Sequence, residues 1–359
     1  MPKPKRLERF TFNHFKKDLR LLFSYKLTYF ILLVLVLLIF SPFLVVAVLK
    51  VKPAENIEYG VTFSSPYTRE LGLDTRATYL AILDELKVDN LRLVLYWNEI
   101  EDKKGEYNFS DVTWQVEEAQ KRNVDVVLVV GKKVPRWPEC HEPKWVKDLS
   151  EEDAEKALLT LVAKEVEHFR KYDNIKFWQV ENEPYFPFGH CEFPRWAFLK
   201  EEVALVRSLD DQSRPIIVQD SGEGGLWAPT YSLGDYLGIS MYRRIWYDFW
   251  GIFLGKRIFF TYPLSYWSYP LKAKVTNVPL DKVMVLELQA EPWGDGPIPT
   301  LSEEIKGKTM SYDKYLETLS YAQKTGISSF YLWGAEWWYW EKEVNGNPEY
   351  WETAKALWK

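Results

Sequence analysis

From about residue 57 onward, short apolar runs alternate with longer stretches in which apolar positions recur every three or four residues. The short runs have the length and β-branched content of buried strands, and the longer ones the spacing of helices that bury one face. Eight runs qualify as strands: 58–64, 91–96, 125–130, 175–179, 215–219, 237–241, 282–288 and 328–333. Among the helices, Asp74 or Thr75 caps one whose apolar face is Tyr79, Leu80, Leu83 and Leu86, and Ser110 caps 111–121. Ser150 opens a helix to Tyr172, with Asp153 placed to complete a capping box. Pro194 begins a helix ending at Leu209, 311–324 closes on Gly326, and 348–359 is the last. Eight strand–helix units over about 300 residues predict an α/β fold, a (β/α)8 TIM barrel spanning 57–359. A doubly wound open sheet is the alternative, but it wants a glycine-rich loop after its first strand, where Gly60 stands alone.

The pattern before the barrel is different. Residues 27–49 form an uncharged apolar run broken only by Ser41-Pro42. Its length, on the order of 20 residues, suits one transmembrane helix. Ahead of it, the tail 1–26 carries Lys3, Lys5, Arg6, Arg9, Lys16, Lys17, Arg20 and Lys26 against Glu8 and Asp18. That asymmetry predicts a cytoplasmic N-terminus, a single pass of the cell membrane, and everything after the linker 50–56 outside. A cleaved signal peptide is the rival reading. The run is longer than an ordinary signal core, and no small-x-small site follows Val48.

Composition sharpens this picture in two respects. A net charge of -5 gives no reason to expect nucleic-acid binding, and a mean hydropathy of -0.29 makes the bulk of the chain water-compatible. Aromatics make up 16% of the residues, with 17 Trp, more than a core of this size requires. Such rings suit sugar clefts, because the apolar face of a pyranose packs on an aromatic plane. Between the sixth and seventh strands, 243–270 is dense in Trp, Tyr and Phe. This segment reads as a lid over the barrel mouth or as a membrane-interface element.

The candidate chemistry sits at two strand ends. The fourth strand runs into Glu181-Asn182-Glu183-Pro184, and the seventh ends at Glu287. In a closed eight-stranded barrel, the fourth and seventh strands face each other across the mouth, where catalytic groups collect. Two carboxyls placed there can flank one glycosidic bond, one as acid and one meeting the developing oxocarbenium ion. Trp178-x-x-x-Asn182-Glu183-Pro184 with Glu287 resembles the clan A retaining glycoside hydrolases, the superfamily of the cellulase-like family 5 and the β-galactosidase-like family 42. The resemblance implies that Glu183 is the acid/base and Glu287 the nucleophile. It also implies that Asn182 binds the sugar 2-hydroxyl, that Arg92 sets a positive charge beside the nucleophile, and that Tyr242 contacts it. Trp333 would floor the site of the reacting sugar.

Some positions depart from family 5. Gly131-Lys132-Lys133 and Ser240 stand where histidines are common there, and Glu287 is followed by Leu-Gln-Ala-Glu-Pro-Trp. Trp97, Trp137, Trp227, Trp293 and Trp337 lie just past strand ends and are candidate stacking platforms, and Glu336 is a candidate ligand for a sugar hydroxyl. Glu181 points away from Glu183's neighbour by strand alternation and reads as a structural acid. Glu291 is a rival nucleophile lying past the strand. Cys140 and Cys191 follow neighbouring strands, and outside the membrane a disulfide is expected, with free thiols or a metal site as alternatives. Nothing calls for a cofactor or metal, and no P-loop or His-Glu-x-x-His occurs. The sequence therefore predicts a membrane-anchored retaining glycosidase acting on a β-linked oligo- or polysaccharide by double displacement. A non-catalytic carbohydrate-binding barrel and an envelope-remodelling transglycosylase are the alternatives.

Overall fold

A computed structural model describes residues 28–37, 41, 51–247 and 258–358. The chain divides into two units, Met1–Lys50 and Val51–Lys359. In the first, residues 28–37 are helical with exposed apolar side chains. The tail 1–26 and most of the expected span 27–49 lie outside the described residues. Among the described residues no helix is long and apolar enough to cross a membrane.

The second unit is a closed barrel of eight parallel strands. In chain order these are β1 (Glu58–Phe63), β2 (Asn90–Val94), β3 (Asp125–Val130), β4 (Ile175–Val180), β5 (Ile216–Asp220), β6 (Tyr236–Met241), β9 (Val283–Gln289) and β10 (Ser329–Trp333). The intervening β7 (Arg244–Tyr247) and β8 (Ile258–Thr261) pair antiparallel in a separate hairpin. Each barrel strand falls within two residues of its expected position at both ends. β1 closes the barrel by pairing with both β2 and β10.

Two apolar layers hold the barrel. Side chains pointing outward, among them Leu91, Leu128, Trp178, Val218 and Leu332, join the inner faces of the surrounding helices in the main core. Those pointing inward, Val127, Ile217, Met284, Leu286 and Tyr331, fill the interior. Interior space is shared between large and small residues: an added Cβ at Gly238 would lie 2.6 Å from Leu286 Cδ1.

Helix starts follow their caps. Asp74 accepts from the Ala77 N–H at 2.7 Å, and Ser150 Oγ accepts from the Asp153 N–H at 3.2 Å. The Asp153 carboxylate takes the Ser150 hydroxyl at 2.7 Å, so the expected reciprocal box is not formed. Ser110 is the first helical residue, not the cap, because Asn108 Oδ1 already accepts its N–H at 3.1 Å. The helix expected from Pro194 starts at Trp196, and the aromatic segment expected as a loop contains the β7–β8 hairpin. Gln289 anchors that hairpin to β9, accepting the Arg244 N–H at 2.9 Å and donating to the Arg244 carbonyl at 2.6 Å. Residues 248–257, in its middle, lie outside the described residues.

Candidate active site

β4 delivers its acids through a turn of unusual backbone. Glu181 and Glu183 have φ of 59° and 45°, in the left-handed region that side chains other than glycine seldom enter. The turn is held from both sides. The Glu181 N–H donates to the Val130 carbonyl at 3.0 Å and the Asn182 N–H to the Lys133 carbonyl at 2.6 Å. The Glu181 carboxylate accepts the Lys132 and Lys133 N–H groups, each at 2.7 Å. Glu181 is thus a brace between the β3 and β4 ends. Such strain persists only where the surroundings over-determine it.

Glu183 and Glu287 meet at the barrel mouth in different company. Glu183 is buried, and among the described hydrogen bonds its carboxyl group accepts one, from Ser240 Oγ at 2.6 Å. Burial above all, then the nearby Glu287, pushes its pKa well above the usual carboxylate range, with Ser240 opposing. Glu287 accepts from Gln219 Nε2 at 2.8 Å, from Tyr242 Oη at 3.2 Å and from Arg92 Nη1 at 3.5 Å. Burial and the neighbouring Glu287 raise the Tyr242 phenol well above its ordinary pKa, so it remains a donor.

Arg92 is the hub of the barrel floor. Fully buried, it donates from Nε to Gln179 Oε1 at 2.8 Å and from Nη1 to the Leu286 carbonyl at 3.2 Å. From Nη2 it donates to Asn182 Oδ1 at 2.6 Å and to Gln219 Oε1 at 2.7 Å. A buried guanidinium needs this many acceptors to remain charged. The same hub sets the Asn182 amide: its oxygen faces Arg92, and its Nδ2 donates to Glu139 Oε2 at 3.1 Å.

A second polar cluster lies at the β10 end. Arg136 pairs with Glu291 and, at 3.3 Å, with Glu336, whose other oxygen accepts the Ser64 N–H at 2.6 Å. Burial raises Glu336 to about 7, with Arg136 opposing. The Arg136 guanidinium sits 3.6 Å over the Tyr67 ring and 4.1 Å over the Trp333 ring. One face of Trp333 is therefore already covered by a cation, and Glu291 is committed to Arg136.

The expected tryptophan platforms separate into two groups. Trp137 is 59% exposed at the rim, and an edge-on chain runs from it through Phe188 and Trp293 to Tyr242, with centroid spacings of 5.7, 5.7 and 5.3 Å. This aromatic wall ends at Glu287. Trp97, Trp227 and Trp337 are no more than 2% exposed and present no ring face, a correction to the sequence expectation. The indole of Trp97 donates to Glu101 at 2.8 Å and that of Trp227 to the Ser221 carbonyl at 3.0 Å, so both are pinned inside the fold. Cys140 and Cys191 are disulfide-bonded, with a Cα–Cα distance of 5.4 Å, and join the loops after β3 and β4.

Several residues of the site carry no motif: Gln179, Gln219, Arg136, Glu139 and Ser240. The two glutamines had a usable signal, since each is polar at an inward position of an otherwise apolar strand. Arg136 and Glu139 sit in an irregular loop whose path no periodicity describes.

No family model and no curated protein matches the sequence. Solved structures do resemble the barrel. GH5_18 of Streptomyces cattleya, in complex with GlcNAc, superposes with a TM-score of 0.54 at 11% identity, covering 78% of this chain and 70% of that one. Xylanase 10B of Thermotoga petrophila RKU-1, in complex with xylobiose, gives 0.51 at 16% identity, covering 78% and 82%. The exo-β-1,4-mannosidase Op5Man5 from Opitutaceae bacterium strain TAV5 gives 0.53 at 15% identity, covering 85% and 60%. The resemblance to clan A glycoside hydrolases thus holds for the fold.

Proposed function

We propose that this chain is a retaining β-glycosidase, acting on an oligo- or polysaccharide outside the cell and anchored in the membrane by residues 27–49. The observation that carries the reading is the unequal surroundings of two glutamates at one barrel mouth. Glu183, buried with a single hydroxyl donor, keeps a proton to give to the leaving oxygen. Glu287, fixed by Gln219, Tyr242 and Arg92, aims a carboxylate at the anomeric carbon. Attack by Glu287 forms a glycosyl ester as Glu183 protonates the departing oxygen. Glu183 then takes a proton from water, which cleaves the ester and returns both groups to their starting state. The aromatic wall from Trp137 to Tyr242 supplies flat apolar surface for neighbouring sugars. Anchoring rests on the uncharged run and the basic tail before it.

The decisive experiment uses aryl β-glycosides. Glu183→Gln should reduce turnover by at least about 10³-fold. Glu287→Ala should be inactive alone and regain turnover with azide, giving a product of inverted anomeric configuration. Undiminished activity in Glu183→Gln, or an azide product of retained configuration, contradicts the assignment.

A further inference from the structure

Beside the two catalytic candidates stands a third carboxyl group, that of Glu139. It is 5% exposed, and its Oε2 accepts from Asn182 Nδ2 at 3.1 Å. Its position is set by its loop. The Glu139 N–H donates to the Arg136 carbonyl at 2.7 Å, its own carbonyl accepts the Val134 N–H at 2.9 Å, and the next residue is the disulfide-bonded Cys140. The nearest cations are engaged elsewhere. Lys133 Nζ donates to the carbonyls of Glu183 and Phe186, both at 2.8 Å, and the Arg92 bonds go to the barrel floor, Asn182 and Glu287. Among the described hydrogen bonds, the one reaching the Glu139 side chain comes from a neutral amide. Burial first, and then Glu287, accordingly raise its pKa to about 8. A buried carboxylate without a cation is costly, and a ligand that brings one relieves that cost.

The place such a ligand group would occupy follows from the mechanism proposed above, on which this inference rests. When the anomeric carbon faces Glu287 and its leaving oxygen faces Glu183, the ring oxygen lies on one flank of that carbon and C2 on the other. The ring oxygen becomes positive in the transition state, so an amide donor such as Asn182 Nδ2 does not belong beside it. The Asn182 flank is therefore the C2 flank, and Glu139 lies on it. We propose that Glu139 is a specificity-determining residue that receives the C2 substituent of the reacting sugar and selects a protonated 2-amino group, as in glucosamine units, over a hydroxyl or an acetamido group. An ammonium there donates to Glu139 in a charge-assisted bond. A neutral hydroxyl leaves the carboxyl as it was, and an acetamide presents a carbonyl and a methyl group to an acid.

The test is calorimetric titration of the full chain in detergent at about pH 6, where a sugar amine is protonated, using glucosamine, glucose and N-acetylglucosamine. Glucosamine should bind about tenfold or more tighter than either of the others. Its binding should also release a proton from Glu139, seen as an enthalpy that changes with the ionisation heat of the buffer. Glu139→Gln should lose both the preference and the proton release, with a larger loss of affinity for glucosamine than for glucose. General damage to the site would weaken all three sugars alike. Equal affinities, a preference that survives Glu139→Gln, absence of proton release, or failure of all three sugars to bind would each overturn the proposal. The outcome is separable from the glycosidase reading. Selective, proton-linked binding without hydrolysis of any aryl glycoside would remove the catalytic role and leave this site. Hydrolysis with no amine preference would do the reverse.

Discussion

Ser240 and Tyr242 leave β6 side by side, yet each serves a different carboxyl group. Ser240 donates to Glu183 and Tyr242 to Glu287. The Ser240 bond lowers the Glu183 pKa against the effect of burial. Ser240→Ala should therefore raise it further, and the alkaline limb of kcat/KM, where the acid loses its proton, should move to higher pH. A pH–rate profile of the variant checks this; a limb that stays put or moves down contradicts the role given to Ser240. Residues of this kind differ in how readily a sequence discloses them. Glu183, Glu287 and Arg92 are legible because each is a charged residue within or just past a recognisable apolar strand. Ser240 is noticeable as a departure, but its bond partner depends on a register shift between Ile239 and Ser240 where β6 pairs with β9. Glu139 depends on a loop with left-handed residues at Arg136 and Glu139, φ 85° and 73°, which no pattern of apolar positions encodes.

At the scale of elements, the two helices flanking β4 hold a polar group where apolar packing is expected. Helices Glu151–Phe169 and Trp196–Leu209 pack together and bury Glu165 and Glu202 completely. Neither oxygen of Glu165 finds a hydrogen-bond partner among the described residues. Burial first, then Glu181 and Glu101, pushes Glu165 well above its ordinary 4.5, while burial and Glu181 do the same for Glu202. With a raised folded pKa, the native state holds protons that the unfolded chain releases, so stability declines as pH rises above about 4.5. Thermal unfolding midpoints should fall from pH 5 toward pH 8, and Glu165→Gln with Glu202→Gln should flatten that dependence. An unchanged slope in the double variant would exclude these two groups as its source. The eight barrel strands were legible because buried parallel strands are continuous apolar runs bounded by turn residues. The β7–β8 hairpin was not, since its aromatics fall on both faces and leave no alternation to follow.

At the scale of the whole molecule, topology follows from charge more than from the barrel. With eight basic residues before the apolar run and two acidic ones, the anchoring proposed above carries with it a tail on the cytoplasmic side. In intact cells expressing the full chain, external protease should digest the barrel unit and spare an epitope fused at Met1, and a chain beginning at Pro53 should purify without detergent. An externally accessible N-terminal epitope would reverse the orientation. The disulfide acts at this scale too. Its ring encloses all of β4 and the helix Glu151–Phe169, and it ties the loop bearing Glu139 to the loop after Glu183. Neither loop can drift far without the other, so local opening at the mouth is a joint event: in the mechanism proposed above, the group that reads the sugar and the group that cleaves it share one fluctuation.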